Sequence, residues 1–188
     1  MDDMWTVARS ELILGGQRSG KSRRAELLAR AWLAQSPGRQ AVLIATAQAH
    51  DTEMRERIAR HQRDRAERVP GLQTVEEPLQ LARAISTHSR PDTLLVVDCL
   101  TLWLTNYLMP AGGVAVEPPI AALLQALRAA PGPLVLVGNE IGLGVIPMGR
   151  EVRHFVDALG RLNQDVASVC ERVSFMAAGL PLALKGQA

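Results

Sequence analysis

At 188 residues, 47% of them hydrophobic but only 3% aromatic, the chain is long enough for one domain, spanning 1–188, with an aliphatic, layered core. Its 21 basic and 19 acidic residues leave a formal charge of +2, too balanced for a nucleic-acid-binding surface. Cys99 and Cys170 lack C-x-x-C spacing and so describe neither a disulfide framework nor a zinc site; with acids in M-D-D-M-W and Asp98 splitting the longest apolar run, a cytoplasmic protein without membrane insertion is expected.

The first apolar run, E-L-I-L at 11–14, reads as a strand and leads into L-G-G-Q-R-S-G-K-S, which fits G-x-x-x-x-G-K-[ST] with Gly15, Gly20, Lys21 and Ser22 at the fixed positions. The chain has only two lysines, Lys21 and Lys185, so by composition a chance match is about one in a thousand. Residues 22–34 carry Ala25, Leu28, Ala29 and Trp32 at helical spacing, which completes the strand, loop and helix of a phosphate-binding element. In such an element successive backbone N–H groups meet phosphate oxygens beside a helix N-terminus. Lys21 would reach the β- and γ-phosphates, and Ser22 would offer its hydroxyl to Mg2+.

S-P-G-R at 36–39 is a turn, and A-V-L-I-A-T at 41–46 a second strand. A helix over 52–66 capped by Asp51 places Met54, Ile58, His61 and Arg65 on one face, directed at the protein or a cleft. On periodicity alone His61 reads as a satisfied, half-buried histidine. Arginines at 55, 57, 60, 63, 65 and 68 outweigh Glu56, Asp64 and Glu67, and Arg55, Arg60 and Arg63 read as a solvated face with i to i+4 pairs.

L-Q-T-V-E at 72–76 and T-L-L-V-V-D at 93–98 follow as strands. Asp98 closes a buried strand, where phosphate-loop proteins keep a magnesium-side carboxylate, and it also stands where it would cap the helix L-T-L-W-L-T-N-Y. Residues 110–119 form a loop, and P-L-V-L-V-G at 133–138 is a strand ending near Glu140 in N-E-I-G-L-G-V-I-P, either a hydroxyl-orienting base or a loop carboxylate. Residues 150–170 are the most periodic helix, with Val152, Phe155, Val156, Leu159, Leu162, Val166 and Val169 at spacings of three and four, so D-A-L-G at 157–160 reads as core and not as a GTPase element. With lysine only at 21 and 185, no N-K-x-D guanine-reading element exists. R-V-S-F-M-A at 172–177 is the last strand read. Alternating strands and helices, several of the strands continuously apolar, predict an α/β fold with a mostly parallel sheet covered on both faces.

Taken together, G-G-Q-R-S-G-K-S, I-A-T-A, R-I-A-R-H-Q-R-D-R, D-C-L-T-L-W-L-T-N, N-E-I-G-L-G-V-I-P and R-L-N-Q closely resemble the bifunctional adenosylcobinamide kinase / adenosylcobinamide-phosphate guanylyltransferase family, in the family's order from residue 14 to 164. The resemblance implies a P-loop NTPase of RecA-like, three-layer α/β/α topology that forms homo-oligomers. It implies phosphorylation of adenosylcobinamide by ATP or GTP, then transfer of GMP from GTP through a guanylyl-histidine. The family's R-I-x-x-H-x-x-x-R block falls on Arg57, Ile58, His61 and Arg65, which implies His61 as nucleophile. The implied nucleotide contacts are Gly15, Gly16, Gln17, Arg18, Ser19, Gly20, Lys21 and Ser22; Ala45, Thr46 and Ala47; Gln62, Arg63, Asp64 and Arg65; Glu76; and Asp98. Leu14, Leu43 and Leu72 stand where the family often has threonine, tyrosine and tryptophan, and Leu72 bears on how the segment of Glu76 lies. Rival readings are a P-loop small-molecule kinase with a merely packed His61, and a RecA-like nucleotide-binding module acting on a protein partner.

Overall fold

The computed structural model describes residues 6–49 and 52–186. Seven strands form one sheet in the order β3-β2-β4-β5-β1-β6-β7. They are β1 (Ser10–Gly15), β2 (Gln40–Ala45), β3 (Leu72–Glu76), β4 (Thr93–Asp98), β5 (Leu134–Val137), β6 (Arg172–Ala177) and β7 (Leu180–Lys185). All pairings are parallel except β6 with β7. The helices are α1 (Lys21–Ala34), α2 (Thr52–Arg68), α3 (Leu81–His88), α4 (Leu100–Leu108), α5 (Ile120–Ala129) and α6 (Arg150–Val169). No helix among the described residues is long and apolar enough to cross a membrane.

Alternation along the strands divides the core in two. Ile13, Leu43, Val96 and Val135 pack beneath α1 with Ala25, Leu28, Ala29 and Trp32, joined by Val69 just beyond α2. Leu12, Val42, Leu95 and Leu136 face the other way, towards Ile85, Leu123, Leu159, Leu162 and Val166. Helices thus cover both faces, which is why residues 94–97 of β4 and the whole of β5 are apolar.

Register places the strand ends together. Ala45 stands opposite both Glu76 and Asp98, Asp98 opposite Val137, and Val137 opposite Ile13. The glycine loop leaves β1 two residues beyond Ile13, at the carboxyl edge where ligands of parallel α/β sheets bind. One strand, β5, separates the loop-bearing β1 from the β4 that ends in Asp98.

The fold departs from the sequence expectations at three places. β7 was not anticipated: it is an antiparallel edge strand whose Leu180, Leu182 and Leu184 are exposed, so its apolar residues carry no core signal. Asp98 does not cap α4; Cys99 does, its sulfur accepting from the Leu102 N–H at 3.5 Å. On α6, Phe155, Leu159, Leu162 and Val166 are buried as expected, but Val152 is exposed and the polar Asn163 joins the buried face. The Asp51 cap expected for α2 lies outside the described residues.

Candidate active site

The loop after β1 is shaped by residues without bulk. Gly15 has φ of 149°, and a Cβ there would stand 2.5 Å from the Met176 carbonyl oxygen. Gly20, at φ 103°, begins α1 beside Gly179, while Arg18 at φ 56° holds a left-handed conformation that few non-glycine residues adopt. Gln17 and Arg18 are exposed at the tip, and Gly16, Ser19, Gly20 and Ser22 are half-buried. Lys21 is buried and folds back over the loop, its Nζ donating to the Gly16 carbonyl at 2.5 Å and to Ser19 Oγ at 3.5 Å. Burial pushes its ammonium below the usual lysine range, opposed by the nearby Cys99 and Asp98.

Beneath the loop, Glu11 is fully buried on β1. Its carboxylate accepts from Arg24 Nε of α1 at 3.0 Å, and from Ser174 Oγ at 2.8 Å and Arg172 at 3.3 Å on β6. The strand before the loop, the helix after it and the next strand are thereby tied together.

A second set of bonds joins the strand ends. Thr46, wholly buried, donates its hydroxyl to the Cys99 carbonyl at 2.7 Å and accepts the Cys99 N–H at 2.9 Å. Asn106 of α4 donates to the Thr46 carbonyl at 2.8 Å. Thr101 Oγ1 accepts the Asn139 N–H at 2.8 Å, and the Glu140 N–H donates to the Gly15 carbonyl at 3.1 Å. Thr46 therefore spends its hydroxyl on the fold, while Ala45 and Ala47 stay half-buried at the edge.

Asp98 is half-buried. Neither its carboxylate nor the Ser22 hydroxyl has a hydrogen-bond partner among the described residues, and both keep open lone pairs. No cluster of three or more His, Cys, Asp or Glu that could cage a metal occurs among the described residues. One carboxylate and one hydroxyl beside a phosphate loop is a donor set that suits Mg2+ bound largely through nucleotide oxygens and water.

Helix α2 is anchored at its foot. Arg68 pairs with Glu26 of α1, Val69 is core, and Arg65 is buried close enough to Glu26 to help hold that carboxyl down, although burial of Glu26 outweighs both arginines and raises it. Higher up, Gln62 donates to Glu76 at 3.4 Å, so the middle of the helix stands level with the carboxyl edge of the sheet. His61 at that level is exposed, with no hydrogen-bond partner among the described residues. The expectation of a satisfied, half-buried histidine is corrected: Arg65 is buried, whereas His61 one turn earlier is exposed. Ile58 is half-buried; the Met54 and Arg57 side chains lie outside the description. Gln62, Arg63, Asp64 and Glu76 are exposed, as are Arg55 and Arg60, and α2 forms no ion pair of its own among the described residues.

A family model described as cobinamide kinase / cobinamide phosphate guanyltransferase matches residues 11–184. The bifunctional adenosylcobalamin biosynthesis protein CobP of Pseudomonas aeruginosa is 50% identical over 177 residues, 94% of this chain and 98% of that protein. The bifunctional adenosylcobalamin biosynthesis proteins CobU of Escherichia coli and Salmonella typhimurium are 36% and 34% identical, each across 93% of this chain and 98% of the relative. With its phosphate loop, strand order and near full-length likeness in agreement, the chain belongs to the cobinamide kinase / cobinamide phosphate guanyltransferase family.

Proposed function

We propose that the protein phosphorylates the hydroxyl on the aminopropanol arm of adenosylcobinamide with ATP or GTP, then takes GMP from GTP onto His61 and passes it to adenosylcobinamide phosphate, giving adenosyl-GDP-cobinamide. The observation that carries this reading is one carboxyl edge bearing the glycine loop with Lys21, Asp98, and at the same level the exposed imidazole of His61 beside Gln62 and Glu76; the Asp98 carboxylate and the His61 imidazole are without hydrogen-bond partners among the described residues.

Both reactions use one nucleotide seat. Backbone N–H groups of residues 15–22 would hold the phosphates, with Lys21 leaving the Gly16 carbonyl to donate to them. Ser22 and Asp98 would hold Mg2+, which neutralises phosphate charge when bound. In the kinase step the acceptor oxygen bonds to the γ-phosphorus, the bridging P–O bond breaks, and the nucleoside diphosphate leaves with the electron pair. In the second reaction a deprotonated imidazole nitrogen of His61 bonds to the α-phosphorus and pyrophosphate leaves. A phosphate oxygen of the acceptor then displaces the imidazole, restoring the histidine. The basic character of α2, with Arg65 turned inward, favours a triphosphate and a pyrophosphate leaving group. The loop after Glu140 exposes Leu143, Val145, Ile146 and Met148, an apolar surface suited to a large corrinoid. A homo-oligomer in the cytoplasm completes the proposal.

The test is covalent labelling with α-labelled GTP. An acid-labile protein–GMP bond should form without corrinoid and vanish in His61→Ala, while that variant still phosphorylates adenosylcobinamide. A label that survives the substitution would remove His61 from the chemistry, and equal loss of both reactions would make it structural.

A further inference from the structure

A cleft of about 340 Å3 opens on the α6 side of the sheet, floored by Leu14 and Val173 and bounded by α6 and Leu184 of β7. Its upper end is Glu140, whose own N–H is bonded to Gly15 of the phosphate loop. Its helical wall is one stripe, Gly160, Asn163, Gln164 and Ala167, spaced i, i+3, i+4 and i+7. Three features of this cleft bear on what it can take.

Gly160 is the first. Glycine inside a helix is destabilising relative to alanine. Yet a Cβ at Gly160 would meet no atom within 4 Å, so no packing requires its absence. Asn163 is the second: the residue is 5% exposed, its Nδ2 donates to the Asn139 carbonyl at 3.1 Å, and its Oδ1 is buried without a partner. The bond to Asn139 fixes which end of the amide is which, so the orphan is an acceptor; it lies against Gly138, where a Cβ would stand 3.2 Å from it, and is out of a ligand's reach. The third is the charge balance. Lys185, the cation of the cleft, spends its ammonium on the Ala167 and Ser168 carbonyls at 2.9 and 3.3 Å. Glu140 gives one carboxylate oxygen to the Gly142 N–H at 2.6 Å and keeps the other open.

A mainly apolar cleft whose upper end carries the open carboxylate oxygen of Glu140 is unsuited to phosphate and suited to a neutral ligand that bears a hydroxyl. We propose that this cleft is the acceptor subsite: it takes the alcohol-bearing arm of the corrinoid, with the hydroxyl against Glu140. This rests on the reading under Proposed function and deepens it. Glu140 is mounted for the task, because Thr101 holds the Asn139 N–H, Asn163 holds the Asn139 carbonyl, and Gly15 holds Glu140 itself. The acceptor hydroxyl donates to the free carboxylate oxygen. As its oxygen bonds to the γ-phosphorus and the nucleoside diphosphate departs, the hydroxyl proton passes to Glu140. The product phosphate then lies against a carboxyl surface that disfavours it, so the phosphorylated arm leaves the cleft before the GMP transfer.

The experiment is steady-state kinetics of the kinase reaction on the full chain. Gly160→Phe should raise the KM for adenosylcobinamide at least about tenfold and leave the KM for ATP within about twofold. Gly160→Ala, which cannot clash and should raise the thermal midpoint, should give a smaller rise in the same KM. Arg161→Ala, on the exposed side of α6, serves as the control with wild-type constants. Glu140→Gln should lower kcat by about a hundredfold with the acceptor KM changed less than about threefold. An unchanged acceptor KM in Gly160→Phe, a parallel rise in both KM values, or an effect confined to sedimentation, marking a contact between copies, would each overturn the proposal. GMP labelling of the wild-type protein by GTP alone involves no acceptor. Its absence would count against the two-step reading, whereas labelling together with an unmoved acceptor KM would count against the cleft alone.

Discussion

Along the edge that bears the glycine loop, four strand ends are cross-tied: Thr46 to Cys99, Thr101 to Asn139, and Glu140 to Gly15, over the buried Glu11 cluster. Helix α2 is held differently, by Arg65, Arg68 and Val69 near its foot and by the Gln62–Glu76 bond higher up, with His61 in solvent. Phosphate recognition needs donors fixed before the ligand arrives, since only preorganised groups avoid reorganisation during reaction. In the proposed mechanism His61 must reach the α-phosphorus in one reaction and stand aside in the other, and that role needs no such fixture. The difference between the two regions is the one that the proposed roles, holding a nucleotide and attacking it, would require.

Substitutions can sharpen that contrast. The largest effect is expected at Lys21: Lys21→Ala should lower both phosphorylation and GMP labelling by about a thousandfold, read by turnover and by label. Loss of only one reaction would mean two separate nucleotide seats. Next comes Glu11→Gln, which leaves Arg24 and Arg172 without their buried counter-charge and should cost about 3–5 kcal/mol in urea unfolding. Thr46→Val removes two bonds to Cys99 and should cost about 2–3 kcal/mol, whereas His61→Ala should stay within about 0.5 kcal/mol of wild type. A destabilising His61→Ala would erase the distinction between the two regions.

The smallest effect concerns the thiols. Burial raises Cys99 from 9.0 to about 11 and Cys170 from 9.0 to about 12, so the fold favours their neutral forms. Their contribution to stability is whole below pH 9 and is lost as pH rises through 11 and 12. Neither thiol should react with iodoacetamide at pH 8 until the chain is unfolded; rapid native labelling of Cys99 would show the Thr46 junction opening.

Much of this was legible in the sequence, for identifiable reasons. Six strands announce themselves, the inner ones because a parallel strand covered on both faces is mostly apolar, and L-Q-T-V-E and T-L-L-V-V-D coincide with β3 and β4 end to end. The glycine loop is legible because only particular residues satisfy its backbone. His61 is not, since periodicity assigns a side chain to a face of its helix but not to a height above the neighbouring layer. Cys99 at the start of α4 was hidden because a thiol is a weak acceptor rarely chosen for that position. Leu180, Leu182 and Leu184 misled by omission, apolar residues without a core behind them. Gly160 reads as core because D-A-L-G lies inside the most periodic helix, whereas in the fold a side chain there would meet open space.

That glycine sets a trap for protein engineers. Any programme seeking thermal robustness would nominate Gly160→Ala early, since a methyl group there touches nothing and stiffens the unfolded chain's least constrained residue. The hardier variant would pass every screen run on nucleotide alone, and its fault would surface only when the corrinoid is scarce.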